Sequence, residues 1–250
     1  MNKSTSWGKV AIWYDNYLSK NGTYQKDLIL PNILRLLTIK KNETVLDLAC
    51  GQGFFTGEFA KIAGKTIGVD LSEELISLAK KHLPSAIDYR VGSADNLSFL
   101  NDKSVDKITI ILSLQNIENV SDTLKECSRV LKQGGKLYIV LNHPAFRIPK
   151  NSSWGWNEKN KSQYRRIDSY LSESKAKIQM HPGDNPKEVT WSFHRPIQYY
   201  VKLLSKNGFL VYRMEEWNSN KKSEPGPKAE EENRIRSEIP LFLFIEGVLQ

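Results

Sequence analysis

Cysteine, histidine and long apolar runs are scarce in this 250-residue chain. It holds two cysteines, Cys50 and Cys127, in no CxxC pair, and four histidines that form no ligand cluster with them. That spacing speaks against a structural zinc and a disulfide framework, and it fits a reducing, intracellular setting; the cytoplasm is the expected compartment. The longest unbroken apolar runs, Leu137–Leu141 and Leu241–Ile245, are five residues, strand-sized and far below the ~20 a membrane helix needs. Met1 to Lys9 is polar apart from Trp7, and no apolar stretch of signal-peptide length follows. Gly and Pro are too few, 15 and 10, for a collagenous or low-complexity chain, and no internal repeat is visible.

What is present is the composition of a folded protein, 40% hydrophobic and 26% charged, long enough for one domain or one domain with a large insertion. The net charge of +8 invites an anionic partner. Its distribution weakens that reading: residues 1–41 carry seven Lys/Arg against two Asp, whereas residues 218–238 carry five charges of each sign. A solvated basic N-terminal face fits this better than a nucleic-acid surface, and Tyr164-Arg165-Arg166 is the one basic cluster with an aromatic neighbour.

From residue 44 short apolar runs alternate with helical stretches. Strands are expected at Thr44 to Leu48, Lys65 to Val69, Ala86 to Val91, Asp106 to Leu112 and Lys136 to Leu141. The helices between them run over Phe55 to Ala63, from a Ser72 cap to His82, and from a Ser121 cap to about Leu131 before Gly134-Gly135. Buried strands separated by helices imply a parallel sheet covered on both faces, a doubly wound α/β core. A 53-residue interruption, 142–194, precedes a helix from Pro196 to Lys206 and two strands, Phe209 to Glu215 and Pro240 to Gly247, expected as an antiparallel pair. In the segment between those two strands, Glu230/Arg234 and Glu232/Arg236 suit a short solvated helix.

The run Val45-Leu46-Asp47-Leu48-Ala49-Cys50-Gly51-Gln52-Gly53 turns a strand into a helix, where an open α/β sheet binds its ligand. Asp47, four residues before Gly51, would repel a pyrophosphate. It suits S-adenosylmethionine, which carries an ammonium and a sulfonium and no phosphate. Asp70, at the end of the next strand, is placed to accept both hydroxyls of a ribose; the competing reading is a helix cap, a task that Ser72 takes more naturally. Asp95, in Gly92-Ser93-Ala94-Asp95-Asn96 after the third strand, is placed to meet an adenine amino group, or else forms a plain Asx turn.

With these residues the chain resembles the class I S-adenosylmethionine-dependent methyltransferases, in the small-molecule branch that looks like the ubiquinone and menaquinone biosynthesis enzymes. The resemblance rests on Val45 to Gly53, Gly68-Val69-Asp70-Leu71-Ser72, Ser93-Ala94-Asp95, and Ser128 to Gly135. Ala49 stands where many members carry a glycine. The resemblance implies a Rossmann-like seven-stranded sheet with its last strand antiparallel, and S-adenosylmethionine as cofactor with S-adenosylhomocysteine as product. It implies cofactor contacts at Asp47, Ala49, Cys50, Gly51 and Gly53, at Asp70 and Leu71, and at Ala94, Asp95, Asn96 and Leu114. In this family the N-terminal segment closes over the cofactor, which makes Tyr14, Tyr17 and Tyr24 candidates there, Tyr24 for the cofactor and the other two also for substrate.

On the acceptor side, Ser113-Leu114-Gln115-Asn116-Ile117 ends the fourth strand and is not the Asn/Asp-Pro-Pro-Tyr pattern of enzymes that methylate nucleobase amines. Gln115 or Asn116 is placed to orient a substrate carbonyl or hydroxyl, or caps the following helix. His143, held extended before Pro144, is the candidate general base or substrate partner, with a structural histidine as the competing reading. The interruption contains Trp154, Trp156 and Trp191, and its alternating Val189/Trp191/Phe193 and Ile178/Met180 suggest a two-stranded arm with one apolar face; Trp154 and Trp191 are candidate substrate contacts. The expected organisation is one methyltransferase domain over 1–250: a helical cap (1–41), a cofactor-binding core (42–141), a substrate lid (142–194) and a C-terminal helix with a strand hairpin (195–250). The expected function is methyl transfer to O, N or C of a small aromatic or lipophilic acceptor by a monomer or homodimer, without a metal or membrane span. An RNA methyltransferase and a cofactor-binding protein without activity are the alternatives.

Overall fold

A computed structural model describes residues 7–19, 21–82, 87–181 and 185–250. Helix α1 (Ala11–Ser19) is followed by one π-turn, Gln25–Ile29, that runs into α2 (Leu30–Leu37). The helical cap is locally widened here because Pro31 has no N–H to offer Asp27, whose carbonyl accepts from Asn220 Nδ2 instead. The apolar stripe of this segment is fully buried at Ile29, Ile33 and Leu37, each worth about 1.5–3 kcal/mol of burial.

The core then reads β1 (Thr44–Leu48), α3 (Phe54–Ala60), β2 (Lys65–Asp70), α4 (Glu73–His82), β3 (Ile87–Val91), β4 (Val105–Ile111), α5 (Val120–Val130) and β5 (Leu131–Asn142). Two hairpins follow, β6 (Ser152–Asn157) with β7 (Ser162–Ile167) and β8 (Ser174–His181) with β9 (Asn185–His194). The chain ends with α6 (Ile197–Lys206), β10 (Phe209–Trp217), α7 (Ala229–Glu238) and β11 (Phe242–Leu249). The seven-stranded sheet has the order β3-β2-β1-β4-β5-β11-β10. Its first five strands are parallel, and β11 runs antiparallel to both of its neighbours. The order reverses between β1 and β4, which opens a crevice beyond their carboxyl ends.

Alternation along β1 sorts its side chains. Leu46 and Leu48 pack with Ile108, Ile110, Leu137 and Ile139 on one face, Val45 with Ile111, Tyr138 and the α2 residues on the other. Asp47 shares the second face and points toward α3.

The expected elements stand, with local differences. Ser72 Oγ caps α4 at the Leu75 N–H as expected. The α5 cap is Asn119, not Ser121, because Asn119 Oδ1 accepts the Asp122 N–H. Helix α5 already ends at Val130, and Leu131 is extended because it pairs with Val105 of β4; the Gly134 turn (φ +72°) lies inside β5. In α7 the ion pair is Glu231–Arg234, not the expected Glu230–Arg234. Ala86, expected to open the third strand, lies outside the described residues, as do the side chains of Met180 and His181.

In the β8–β9 hairpin the arm is not apolar on one face. Antiparallel register sets Trp191 opposite Lys177 and Phe193 opposite Lys175, while Ile178 faces Thr190 on the other side. No helix of the described residues is long and apolar enough to cross a membrane.

Candidate functional site

The turn after β1 is built from three residues of positive φ, Ala49 (+58°), Gly51 (+58°) and Gly53 (+84°). The two glycines serve different ends. A Cβ on Gly53 would stand 2.2 Å from the Tyr89 hydroxyl oxygen, so this glycine lets α3 pack against β3. A Cβ on Gly51 would meet nothing closer than Tyr14 Cε1 at 3.8 Å, so the backbone at Gly51 is bare toward the crevice. Ala49 holds the left-handed conformation at a cost of about 1–2 kcal/mol, which explains why glycine suits this position. The Cys50 N–H donates to the Val69 carbonyl and fastens the turn to β2.

Two carboxylates flank this turn. Asp70 Oδ2 accepts the Gly51 N–H at 2.9 Å and Oδ1 accepts the Ser72 N–H at 2.9 Å. Burial raises its pKa, and these bonds counter part of the rise. Asp47 is almost fully buried; Thr56 Oγ1 donates to its Oδ2 at 2.6 Å and Thr109 Oγ1 to its Oδ1 at 2.8 Å. Both threonines lie on the face that alternation gives Asp47. Desolvation outweighs the two hydroxyls and pushes its pKa up to about 6.

A cavity of about 590 Å³ runs from these carboxylates to the β8–β9 hairpin. Its wall includes Asp47, Ala49, Cys50, Gly51, Asp70, Leu71, Ala94 and Asp95 of the expected cofactor residues, and Tyr14, Asn116 and Trp191 of the expected substrate residues. Ser93 Oγ donates to Asp95 Oδ1 and shapes the turn after β3. Beyond β4, Leu112 takes a positive φ of 54°, an uncommon conformation for a bulky side chain, and Gln115 Nε2 braces its carbonyl at 2.7 Å. The Ser113 hydroxyl, in the same wall, is buried without a hydrogen-bond partner among the described residues.

At the far end Lys175 Nζ reaches Glu118 Oε1 at 3.0 Å and lies 4.8 Å from the Trp191 and 5.1 Å from the Phe193 ring centroids. Trp7, Tyr14 and Leu18 close the N-terminal side, and burial pushes the Tyr14 hydroxyl up to about 12.

Other expected site residues lie elsewhere. Asn96 is outside the cavity wall and Leu114 is fully buried in the core. Gln115 lies outside the cavity wall with its Nε2 on the Leu112 carbonyl, Tyr17 stacks on Trp13, and Tyr24 packs edge-on to Phe242 with its hydroxyl at Ser219. Trp154 sits under Arg165 in the other hairpin.

His143 is the largest departure from expectation. Its ring is buried outside the cavity wall, Nδ1 accepts the Ala145 N–H at 3.2 Å, and Nε2 meets Glu216 Oε1 at 2.6 Å. Nδ1 as acceptor puts the proton on Nε2, and desolvation lowers the pKa despite Glu216, so the ring is neutral near pH 7 with both nitrogens engaged. This is a packing role. His143→Ala is expected to cost about 2–4 kcal/mol of stability in thermal or denaturant unfolding, from the void and the unpaired Ala145 N–H, while the folded fraction keeps its ligand affinity.

Lys175, Glu118, Phe193, Trp7 and Ser113 are wall residues that the sequence reading left unassigned. Phe193 carried a signal, its alternation with Trp191. Lys175 and Glu118 meet across 57 positions and carried none.

The donor set discriminates between ligands. Around the bare Gly51 backbone stand two carboxylates, and Lys175, the one lysine in the wall among the described residues, is paired with Glu118 at the opposite end. A pyrophosphate is repelled there, whereas a ligand with vicinal hydroxyls, an ammonium and a sulfonium fits. Among the described residues no group of three His, Cys, Asp or Glu is placed to hold a metal ion.

Comparison with known proteins agrees. Residues 46–139 match the model of a methyltransferase domain family. The chain is 34% identical over 98 residues to a ubiquinone biosynthesis O-methyltransferase of Xanthomonas oryzae pv. oryzae, covering 38% of this chain and 41% of that protein. It is 33% identical over 149 residues to a demethylmenaquinone methyltransferase of Chlorobaculum tepidum, covering 58% and 59%. The chain thus spans about two fifths to three fifths of the length of these curated relatives. A solved structure from Listeria monocytogenes, assigned to the S-adenosylmethionine-dependent methyltransferases, superposes with a TM-score of 0.69 at 27% identity, covering 88% of this chain and 98% of that one. The sheet order, the carboxylate-flanked glycine turn and the domain match agree: residues 46–139 are similar to a methyltransferase domain, and the chain has the fold of the S-adenosylmethionine-dependent methyltransferases.

Proposed function

We propose that this chain transfers the methyl group of S-adenosylmethionine to an oxygen or carbon of a small, planar, phenol- or enol-like acceptor held beneath the β8–β9 hairpin. The observation that carries the reading is the continuity of one cavity from Asp47, Gly51 and Asp70 to Asn116, Trp191 and Phe193. When bound, S-adenosylmethionine supplies a methyl carbon on a sulfonium, open to in-line displacement.

The chain's own residues supply binding, orientation and dryness. Asp70 uses one lone pair of each oxygen on the Gly51 and Ser72 N–H groups and keeps others for two hydroxyls. Asp47, pinned by Thr56 and Thr109, places a negative charge where a cationic ligand needs it. The turn at Ser93–Asp95 meets the base. Trp191 and Phe193 offer flat apolar surface to a ring, and Lys175 holds a positive charge beside them that favours an ionised oxygen on the acceptor.

No histidine lines the cavity among the described residues. Rate enhancement then comes from holding the acceptor against the methyl group, worth up to about 7–11 kcal/mol in well-oriented systems, and from an acceptor acidic enough to need no strong base. The names of the two curated relatives, both quinone-pathway methyltransferases, support a ring of this kind.

The test is incubation of the chain with isotopically labelled cofactor and fractionated metabolite extracts. Label in a lipophilic aromatic fraction is expected; label only in RNA, or none above background, overturns the proposal. Once an acceptor is known, Trp191→Ala is expected to lower kcat/KM about 10- to 100-fold, the loss of one aromatic face, with S-adenosylmethionine affinity within about twofold of wild type. Equal loss of cofactor affinity would make Trp191 a structural residue instead.

A further inference from the structure

Two arginines outside the large cavity share a crevice and have no acidic partner among the described residues. Arg147 follows β5 and Arg165 lies on β7. Arg165 Nε donates to the Phe146 carbonyl at 2.8 Å and one terminal nitrogen donates to Ser152 Oγ at 2.7 Å, with the guanidinium 4.8 Å from the Trp154 ring centroid. Its other terminal nitrogen is left over. Arg147 stands 5.8 Å from the Phe242 centroid, and no carboxylate of the described residues bridges to it or to Arg165. Arg166, the next residue along, is paired with Asp168 at 3.1 Å.

The two guanidiniums line a crevice of about 120 Å³ with Phe146, Trp154, Ile239, Pro240 and Leu241. Among the described residues it shares none with the large cavity. Desolvation pulls both arginines below the usual range, and the charge of Arg147 pulls Arg165 further. A guanidinium stays protonated at any ordinary pH, so the exposed Arg147 and the half-buried Arg165 set two like charges beside apolar walls, with no acid among the described residues to balance them.

We infer that Arg147 and Arg165 form a binding site for a phosphomonoester group, separate from the methyl-transfer cavity. A phosphomonoester carries about −1.5 to −2 charges near pH 7, which matches two guanidiniums, whereas a carboxylate balances one. Its three oxygens accept from the fork of Arg147 and from the remaining terminal nitrogen of Arg165. The crevice has room for an oxyanion group and not for a nucleotide; the rest of the ligand extends along Trp154 into solvent. S-adenosylmethionine has no phosphate and does not compete. Arg165, the middle residue of the basic-aromatic run Tyr164-Arg165-Arg166, thereby has a use that is not RNA binding.

The full chain saturated with S-adenosylmethionine is titrated calorimetrically with inorganic phosphate against chloride of equal ionic strength, and floated with phosphatidylcholine vesicles with and without phosphatidic acid. Arg147→Gln removes the fork of a side chain that makes no hydrogen bond among the described residues, and Arg165→Lys keeps the charge over Trp154 without the guanidinium donors. Phosphate binding that weakens at least about tenfold in either variant, with cofactor affinity unchanged, is the expected result. Vesicle binding that requires phosphatidic acid and is lost in Arg147→Gln also supports the site and places the phosphoryl group on a lipid. Binding of neither probe, or binding unchanged in both variants, overturns the inference and leaves the methyltransferase reading untouched.

Discussion

Replacing Asp70 by alanine is expected to lower S-adenosylmethionine affinity by at least about 100-fold, read by calorimetry on the folded protein. Two hydrogen bonds from ligand hydroxyls to a carboxylate are worth roughly 1.5–3 kcal/mol each, and each 1.4 kcal/mol is a factor of ten. The side chain also anchors the Gly51 and Ser72 N–H groups, each at 2.9 Å, so its removal loosens the bare turn against which the ligand lies. Part of the loss is therefore conformational. Asp70→Asn separates the two effects: its single carbonyl oxygen retains one of the two acceptor positions and its amide introduces a donor, so an intermediate affinity with nearly native stability is expected. An Asp70→Ala protein that binds within about threefold of wild type would remove Asp70 from the site.

The place of Asp70 and the turn at the cavity was legible because parallel strands buried on both faces read as short unbroken apolar runs, and those runs end where the crevice opens. The same reasoning failed at His143. Its position at the end of β5 was visible, but its direction is set by Glu216, 73 positions away, and by the Ala145 N–H. The hairpins show the limit from another side. Trp154 and Trp191 look alike in sequence, and only strand register separates them: Trp191 is carried to the cavity with Lys175 beside it, while Trp154 is paired with Arg165. Alternation along one strand says which residues share a face; it does not say what the opposing strand adds to that face. The apolar arm expected from Val189, Trp191 and Phe193 is for this reason an aromatic and lysine surface.

Asp47 gives the second large effect, and it is an effect of pH. Its pKa in the folded chain is about 6 against an ordinary 3.8, because desolvation outweighs the hydroxyls of Thr56 and Thr109. Between these values the folded protein holds a proton that the unfolded chain has released. Stability from this group is therefore complete below about pH 4 and is lost as pH rises through 6, by roughly 3 kcal/mol for a shift of about two units. A cationic ligand reverses the balance, since it favours the ionised carboxylate. At pH 5 about one molecule in ten has Asp47 ionised, so S-adenosylmethionine affinity is expected to be about tenfold weaker at pH 5 than at pH 7, with close to half a proton released per ligand bound near pH 6. Calorimetry in buffers of different ionisation enthalpy measures that release. Asp70, also raised by burial, adds in the same direction, so the Asp47 share is read from Asp47→Asn. That variant keeps partners for both threonine hydroxyls, loses most of the pH dependence of binding, and without ligand is at least as stable as wild type at pH 7. An affinity that is flat from pH 5 to 7 in the wild-type chain would mean that Asp47 is already ionised before the ligand arrives, and its charge would then be a fixed part of the empty cavity and not one that ligand binding draws out.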